Sequence, residues 1–389
     1  MNITIYRGQN QIGGNIVELA TESTRILLDV GLELDDDEVR LPKIDGLFEN
    51  AAFDAVFISH YHGDHIGLVY YIDKSIPVYI GEASYRIVKA ADEYKGNKTI
   101  EPDGFIHNGK PIHVGDITVT PYLCDHSAFD SYMFLCEADG ETVLYTGDFR
   151  SNGRKSFDRL LKSLPHKVDK IICEGTTLSR AANAPLSESE LENKAVELFR
   201  NTNGPIFVMQ STTNIDRIVT MYRSAKRSGL IFLEELYMAE VASAAGENIP
   251  NPSFDDVYAF ITNPSHHDEL TRYRRMGKDK IADSKFVMCV RSSMLHYLQG
   301  LSEKMDFSGG LLVWSMWNGY RKQEATRKFL NECEEMGLSI VELHTSGHAD
   351  PDTIKALIDH VNPDEIIPIH TENAEGFRTL CPGVFIAEQ

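Results

Sequence analysis

Apolar positions in the first part of the chain come in short runs. "NITIYRG", "NIVELAT" and "TRILLDVG" are separated by polar or glycine-bearing turns, the pattern of strands. "FDAVFISH" is another such run and leads directly into a group of histidines. "IPVYIG", "PIHVGDITVTPYLCDH", "DSYMFLCEAD" and "TVLYTGDF" continue the series, and "VDKIICEGT" ends its apolar run in an acid. Between them "ASYRIVKAADEY" has helical spacing.

The texture changes after about residue 180. "SESELENKAVELFRN" has a serine start, an acidic first turn and helical periodicity. Strand "GPIFVMQ", helix "NIDRIVTMYRSAKRSG" and strand "LIFLEEL" follow. Strand–helix alternation predicts an α/β domain of its own. It is expected at 181–325, inserted between a first core segment, 1–180, and a returning one, 326–389. "GGLLVWSM" reads as a strand; "QEATRKFLNECEEMG" and "DPDTIKALIDHV" read as helices; "LSIVELH" and "DEIIPIH" read as strands.

With 389 residues and 42% hydrophobic side chains, the chain can bury a sizeable core. No apolar run has transmembrane length, and the amino terminus lacks a signal-like pattern, so a cytoplasmic protein without a membrane partner is expected. Six cysteines, at 124, 136, 173, 289, 333 and 381, form no close pair and read as buried thiols. The net charge of −20 argues against broad affinity for nucleic acid. It does not exclude a local basic groove or a metal-centred site for a phosphodiester.

"HYHGDH" places His60, His62, Asp64 and His65 just after a strand, in a loop where alternate residues can face one centre. Imidazole and carboxylate suit zinc, and manganese also accepts them. Three further strand ends offer His126 in "YLCDHS", Asp148 in "LYTGDF" and His370 in "IIPIH". Five histidines and two aspartates suit two divalent metals about 4 Å apart sharing one carboxylate.

These motifs, with "QIGGN" and "LLDVG" near the start, resemble the metallo-β-lactamase fold family in its hydrolase form. The resemblance implies an αββα sandwich with two metals at one edge. His60, His62 and His126 would hold one ion, and Asp64, His65 and His370 the other, with Asp148 between them. Glu174 in "IICEGT" and His348 in "HTSGHAD" resemble the motifs of the β-CASP branch, ribonuclease J especially. The likeness spans nearly the whole chain, with the insertion as the β-CASP domain. Ribonuclease J proteins usually carry a further C-terminal domain, whereas this chain stops soon after His370, so a compact relative is expected.

The branch resemblance favours a ribonuclease or broader nuclease, using metal-activated hydroxide and leaving a 5′-phosphate. Asp64, besides ligating, would accept a proton from the attacking water. His348 would meet a phosphate oxygen or the leaving oxygen, with Glu174 orienting it; His344 and Ser346 would contact the phosphate. Asp125 would orient His126, or Asp148 would hold the hydroxide in place; the sequence does not separate these roles. Single-stranded RNA is the expected partner, DNA the alternative, and a homodimer stays open. Exonuclease and endonuclease action are not separated.

"TRYRRMGKDK", with Arg272, Arg274, Arg275, Lys278 and Lys280, is a candidate groove, though a solvated helix end is the plainer reading. Tyr273, Trp314, Trp317 and Tyr320 are candidates to stack on bases, with structural packing the plainer reading of both tryptophans. Two other readings remain: a non-nuclease metallohydrolase acting on a small ester, lactone, thioester or phosphodiester, and a non-catalytic nucleic-acid- or protein-binding relative.

Overall fold

Strand Ile16–Ala20, buried at four of its five positions, is flanked by antiparallel partners Asn2–Arg7 and Arg25–Leu28. Parallel strands Ala55–Phe57, Val78–Gly81 and Gly104–Ile106 extend this sheet in chain order. The computed structural model describes residues 1–34, 39–180 and 185–387. The chain divides into two units, Met1–Pro185 with Gly347–Gln389, and Leu186–Ser346.

The first unit has a second sheet of seven strands. Its order is Phe385–Ile386, Glu365–Ile369, Lys170–Glu174, Glu141–Tyr145, Ser131–Ala138, Ile117–Cys124, Ile112–Val114. One core joins the facing sheets through Val17, Leu28 and Phe57 on one side and Phe134, Tyr145, Ile172 and Ile369 on the other. Alternate residues of the second sheet, Leu135, Leu144, Ile171 and Ile366, point the opposite way. They pack against Leu160 of helix Phe157–Ser163 and Ile354, Leu357 and Ile358 of helix Pro351–Val361. Burial on both faces explains why these central strands read as continuous apolar runs. Helix Glu82–Lys95 packs beside strand Val78–Gly81 of the first sheet, burying Ile87, Val88 and Ala91. The unit is therefore an αββα sandwich.

The second unit is a six-stranded, wholly parallel sheet. Its order is Val257–Phe260, Ile231–Glu235, Phe286–Val290, Ile206–Met209, Gly310–Trp314, Leu338–Glu342. Ser187 starts it with a reciprocal cap, its hydroxyl accepting from the Glu190 amide while the Glu190 carboxylate accepts from the Ser187 amide.

The boundaries differ from those expected. The predicted start of the insertion, 181, lies outside the described residues. Residues 326–346, expected to return to the core, belong to the second unit. The reason is pairing: Leu338–Glu342 adds parallel to Gly310–Trp314, and Phe329, Leu330 and Cys333 of helix Glu324–Glu335 pack into the same core. The return comes at 347.

Candidate metal centre

All the candidate ligands lie in the first unit. His60 and His62 follow strand Ala55–Phe57 in extended chain. Asp64 and His65 do not continue in that loop, as expected, but sit on a one-turn helix, Gly63–Ile66. Its backbone is gripped by the two glycine-bearing loops. Asn15 donates to the Asp64 carbonyl at 3.0 Å, Val30 to His65 at 2.8 Å and Leu32 to Gly63 at 2.9 Å. A side chain at Gly31 would overlap the Asp64 carbonyl, so this approach requires glycine.

His126, Asp148 and His370 arrive from strand ends in the second sheet. His370 turns out of Glu365–Ile369 with φ at 52° and donates its amide to the Gly8 carbonyl at 2.8 Å. Asp148 is the common neighbour. Its Oδ2 lies 3.3 Å from His65 Nε2, 3.6 Å from His348 Nδ1, 3.7 Å from His370 Nε2, 3.8 Å from His60 Nε2 and 3.9 Å from His126 Nε2. Asp64 Oδ2 is 3.1 Å from His370 Nε2. Among the described residues, ligand atoms fall into three groups, each within 4.8 Å: His60, His62 and His126; Asp64, His65, Asp148 and His370; and Asp148, Glu174, His348 and His370, the last two sharing Asp148 and His370.

The residues fit divalent metal. His60 Nε2, His65 Nε2 and Asp148 Oδ1 are buried and lack a hydrogen-bond partner among the described residues. Buried polar atoms are normally satisfied, and a cation would satisfy all three. Outer contacts turn the ligand nitrogens inward. His126 Nδ1 donates to the Gly347 carbonyl at 2.6 Å, and His65 Nδ1 donates to Asp29 at 2.7 Å. The Ser59 hydroxyl donates to Asp29 at 2.7 Å, so its oxygen accepts from His60 Nδ1 at 3.0 Å. In each ring Nε2 is left to face the centre.

Electrostatics sort the histidines. Burial and the neighbouring His65, His126 and His62 hold His60 well below its ordinary value. Burial, then His62, lowers His126 similarly, and burial takes His62 down to about 4. Burial also opposes charge on His65, but Asp148, Asp29 and Asp64 outweigh it and raise the group well above its usual value. Burial would raise Asp64; His65 and His370 reverse this and bring it to about 2. Asp148 is likewise lowered well below the carboxylate range, burial being outweighed by His370, His65 and His348.

His348 and Glu174 form the third side. His348 Nδ1 lies 3.2 Å from Glu174 Oε2, and Glu174 Oε1 accepts from the Phe149 amide at 3.1 Å. Burial works against the imidazolium, but Glu174 and Asp148 more than compensate, raising His348. Its side chain is 21% exposed while that of Glu174 is fully covered, so the histidine is the solvent-reaching member.

Asp125 does not orient His126: it pairs with the buried Arg150 at 2.6 Å and accepts from the Lys155 amide. His344 and Ser346 belong to the second unit. There His344 Nδ1 lies 3.5 Å from Arg217 Nη1. Arg217 is itself fully buried against Glu188 at 3.1 Å and beside the Ser315 hydroxyl. Trp314 is fully buried and cannot stack on a base. In the basic run, Arg272 pairs with Glu240 and Arg274 with Asp255. Sequence reasoning missed the supports Asp29 and Ser59, Tyr145, whose hydroxyl donates to Asp29 at 2.7 Å, and Thr176, whose hydroxyl oxygen lies 2.7 Å from His370 Nδ1. The one local signal was Asp29 itself, an acid directly after the buried strand Arg25–Leu28.

Comparison with known proteins agrees with this geometry. Residues 10–191 match the metallo-beta-lactamase superfamily, and residues 335–381 match the Zn-dependent metallo-hydrolase RNA specificity domain. The chain belongs to the metallo-β-lactamase superfamily, and its relatives are consistent with the β-CASP branch. It is similar to ribonuclease J of Helicobacter pylori strain 26695, 22% identical over 402 residues, covering 96% of this chain and 56% of that protein. It thus spans little more than half the length of that relative. An RNase J-like protein of Methanocaldococcus jannaschii is 25% identical over 418 residues, covering 95% of this chain and 92% of the relative. A crystal structure of a protein of unknown function from Enterococcus faecalis V583 shares the fold, with a TM-score of 0.82 and 22% identity, covering 100% of this chain and 97% of that one. The clusters, the sandwich and these matches support a metal-dependent hydrolase.

Proposed function

We propose that the chain is a ribonuclease that cleaves phosphodiester bonds with two divalent ions, zinc first and manganese as the alternative. The carrying observation is the Glu174–His348 pair set against Asp148, whose Oδ2 also lies within 3.9 Å of His60, His65, His126 and His370. The RNA specificity domain match and the ribonuclease J relatives support the reading. His60, His62 and His126 would hold one ion, Asp64, His65 and His370 the other, with Asp148 between. When bound, such ions lower the pKa of water and offset phosphate charge.

The chain's own residues do the rest. Glu174 orients His348 and favours its protonated form, which lets its other nitrogen donate to a phosphate oxygen or to the leaving oxygen. Asp64, lowered to about 2, stays ionised as a metal ligand must, and its role as acceptor of a proton from the attacking water is proposed from the family resemblance alone. Single-stranded RNA is the proposed substrate, with DNA as the comparison; a cytoplasmic setting and a homodimer remain part of the proposal.

The test is hydrolysis of matched end-labelled RNA and DNA, with 5′-phosphate or 5′-hydroxyl ends, in zinc or manganese. Metal-dependent cleavage lost in His348→Ala and Asp64→Ala is expected. No cleavage of either polymer by metal-loaded protein overturns the reading. The net charge of −20 would then favour a non-nuclease metallohydrolase with a small substrate.

A further inference from the structure

We propose that Trp317 and Tyr320, in the second unit, form a stacking platform for an unpaired base of single-stranded RNA; the proposal rests on the nuclease reading and adds a substrate subsite to it. They lie just past the carboxyl end of strand Gly310–Trp314. Ligands of parallel α/β sheets gather outside that end of the strands.

Trp317 is 55% exposed and Tyr320 40%, with ring centroids 5.7 Å apart and planes at 85°. Leaving an indole and a phenol in water forgoes a large burial gain, so their joint exposure calls for a use. The turn is built to hold the indole. A side chain at Gly319 would overlap the six-membered ring of Trp317, so the ring lies over that backbone. Asn318 Nδ2 donates to Glu342 at 2.9 Å and ties the turn to strand Leu338–Glu342. The platform is thus pre-oriented, which cuts the ordering cost of binding.

The adjoining charge suits a phosphate chain. Arg321 lies 4.9 Å over the ring of buried Trp314; its Nε is buried without an acceptor among the described residues, and its Nη2 lies 3.9 Å from Glu342. Lys322 is exposed, and Arg327 and Lys328 follow on helix Glu324–Glu335, whose first residue is the one acid between them. Four cations and one carboxylate in "YRKQEATRK" are a local reversal in a chain of net charge −20. A stacked base with flanking phosphates near Lys322 matches both features; each stacked base contributes about 1–3 kcal/mol by alanine substitution, roughly five- to 160-fold in affinity.

The chain has two tryptophans, one buried and one exposed, so fluorescence reports the platform directly. Full-length metal-loaded protein is titrated with a ten-nucleotide phosphorothioate RNA, and with the matching DNA. Saturable partial quenching is expected. The anisotropy of labelled RNA should show about tenfold weaker binding in Trp317→Ala, a smaller loss in Trp317→Phe, and weakening in Gly319→Ala, which keeps the indole but displaces it. Circular dichroism checks that the variants fold. Unchanged fluorescence with active RNA cleavage overturns the platform and leaves the nuclease reading standing. Quenching without any cleavage supports the platform and sinks the nuclease. Unchanged affinity in Trp317→Ala overturns the platform, and tighter saturation by DNA overturns its assignment to RNA.

Discussion

Asp29 Oδ2 accepts from His65 Nδ1 at 2.7 Å, and the same oxygen accepts from the Tyr145 and Ser59 hydroxyls at 2.7 Å each. Asp29 sits at φ 61°, a conformation that asparagine also tolerates. Asp29→Asn therefore isolates the carboxylate's role. It should retain the fold but lose about 10- to 100-fold in metal affinity, the scale of outer-contact substitutions. Metal retained after dialysis against a weak chelator measures this; wild-type retention would refute the orienting role.

Chelation should destabilise the first unit. Without metal, His60 Nε2, His65 Nε2 and Asp148 Oδ1 stay buried and unsatisfied. Ligand present at a thousand times its Kd stabilises by about 4 kcal/mol. Calorimetry should show one transition moving down with EDTA and back with zinc or manganese, while the transition of the second unit stays. An unshifted profile would count against a structural contribution from metal.

Arg217 and Glu188 offer a test in the second unit. Both side chains are fully buried, and the Thr220 hydroxyl also donates to Glu188 at 2.6 Å. Arg217→Met strands a buried carboxylate and should cost about 3–5 kcal/mol in urea unfolding. The Arg217→Met, Glu188→Gln pair should recover much of that loss. Equal losses in the single and double variants would show that the ion pair is not the cause.

Glu234 gives a pH signature. It is fully buried, neither carboxyl oxygen has a hydrogen-bond partner among the described residues, and burial raises it well above the ordinary carboxylate value of 4.5. The folded state then holds a proton that the unfolded chain releases above about pH 4.5. Stability must fall as pH rises from there toward the folded value, because the folded state binds more protons. Glu234→Gln should be more stable than wild type at pH 8, with the two curves converging near pH 4. Parallel melting curves across that range would refute a neutral buried acid.

The metal set was legible because its signal is local. His60, His62, Asp64, His65, His126, Asp148 and His370 each stand just after an apolar run, and strand ends converge on one edge. Asp125 misled for the same reason: it neighbours His126 in sequence, but the buried Arg150, 25 positions on, is its folded partner. Such a pair is invisible until strands Ile117–Cys124 and Glu141–Tyr145 have been brought together. The boundary at 326 failed because "LSIVE" is equally apolar in either sheet, and only its pairing with Gly310–Trp314 decides. Trp314 and Trp317 looked alike on paper. One ends a buried strand and the other begins an exposed turn, a difference of three residues.

The first unit is discontinuous: it is interrupted after 185 and resumes at 347. On a ribosome, the carboxylates of Asp64, Asp148 and Glu174 are made long before the histidines that face them, His348 and His370. About 160 residues of the second unit intervene. At ordinary rates of synthesis that is a delay of roughly ten to thirty seconds. Throughout it Asp148 has neither His348 nor His370 beside it. The centre is thus timed by chain order, and a hydrolase arranged this way stays incomplete while its amino-terminal half is already exposed beside the message being read.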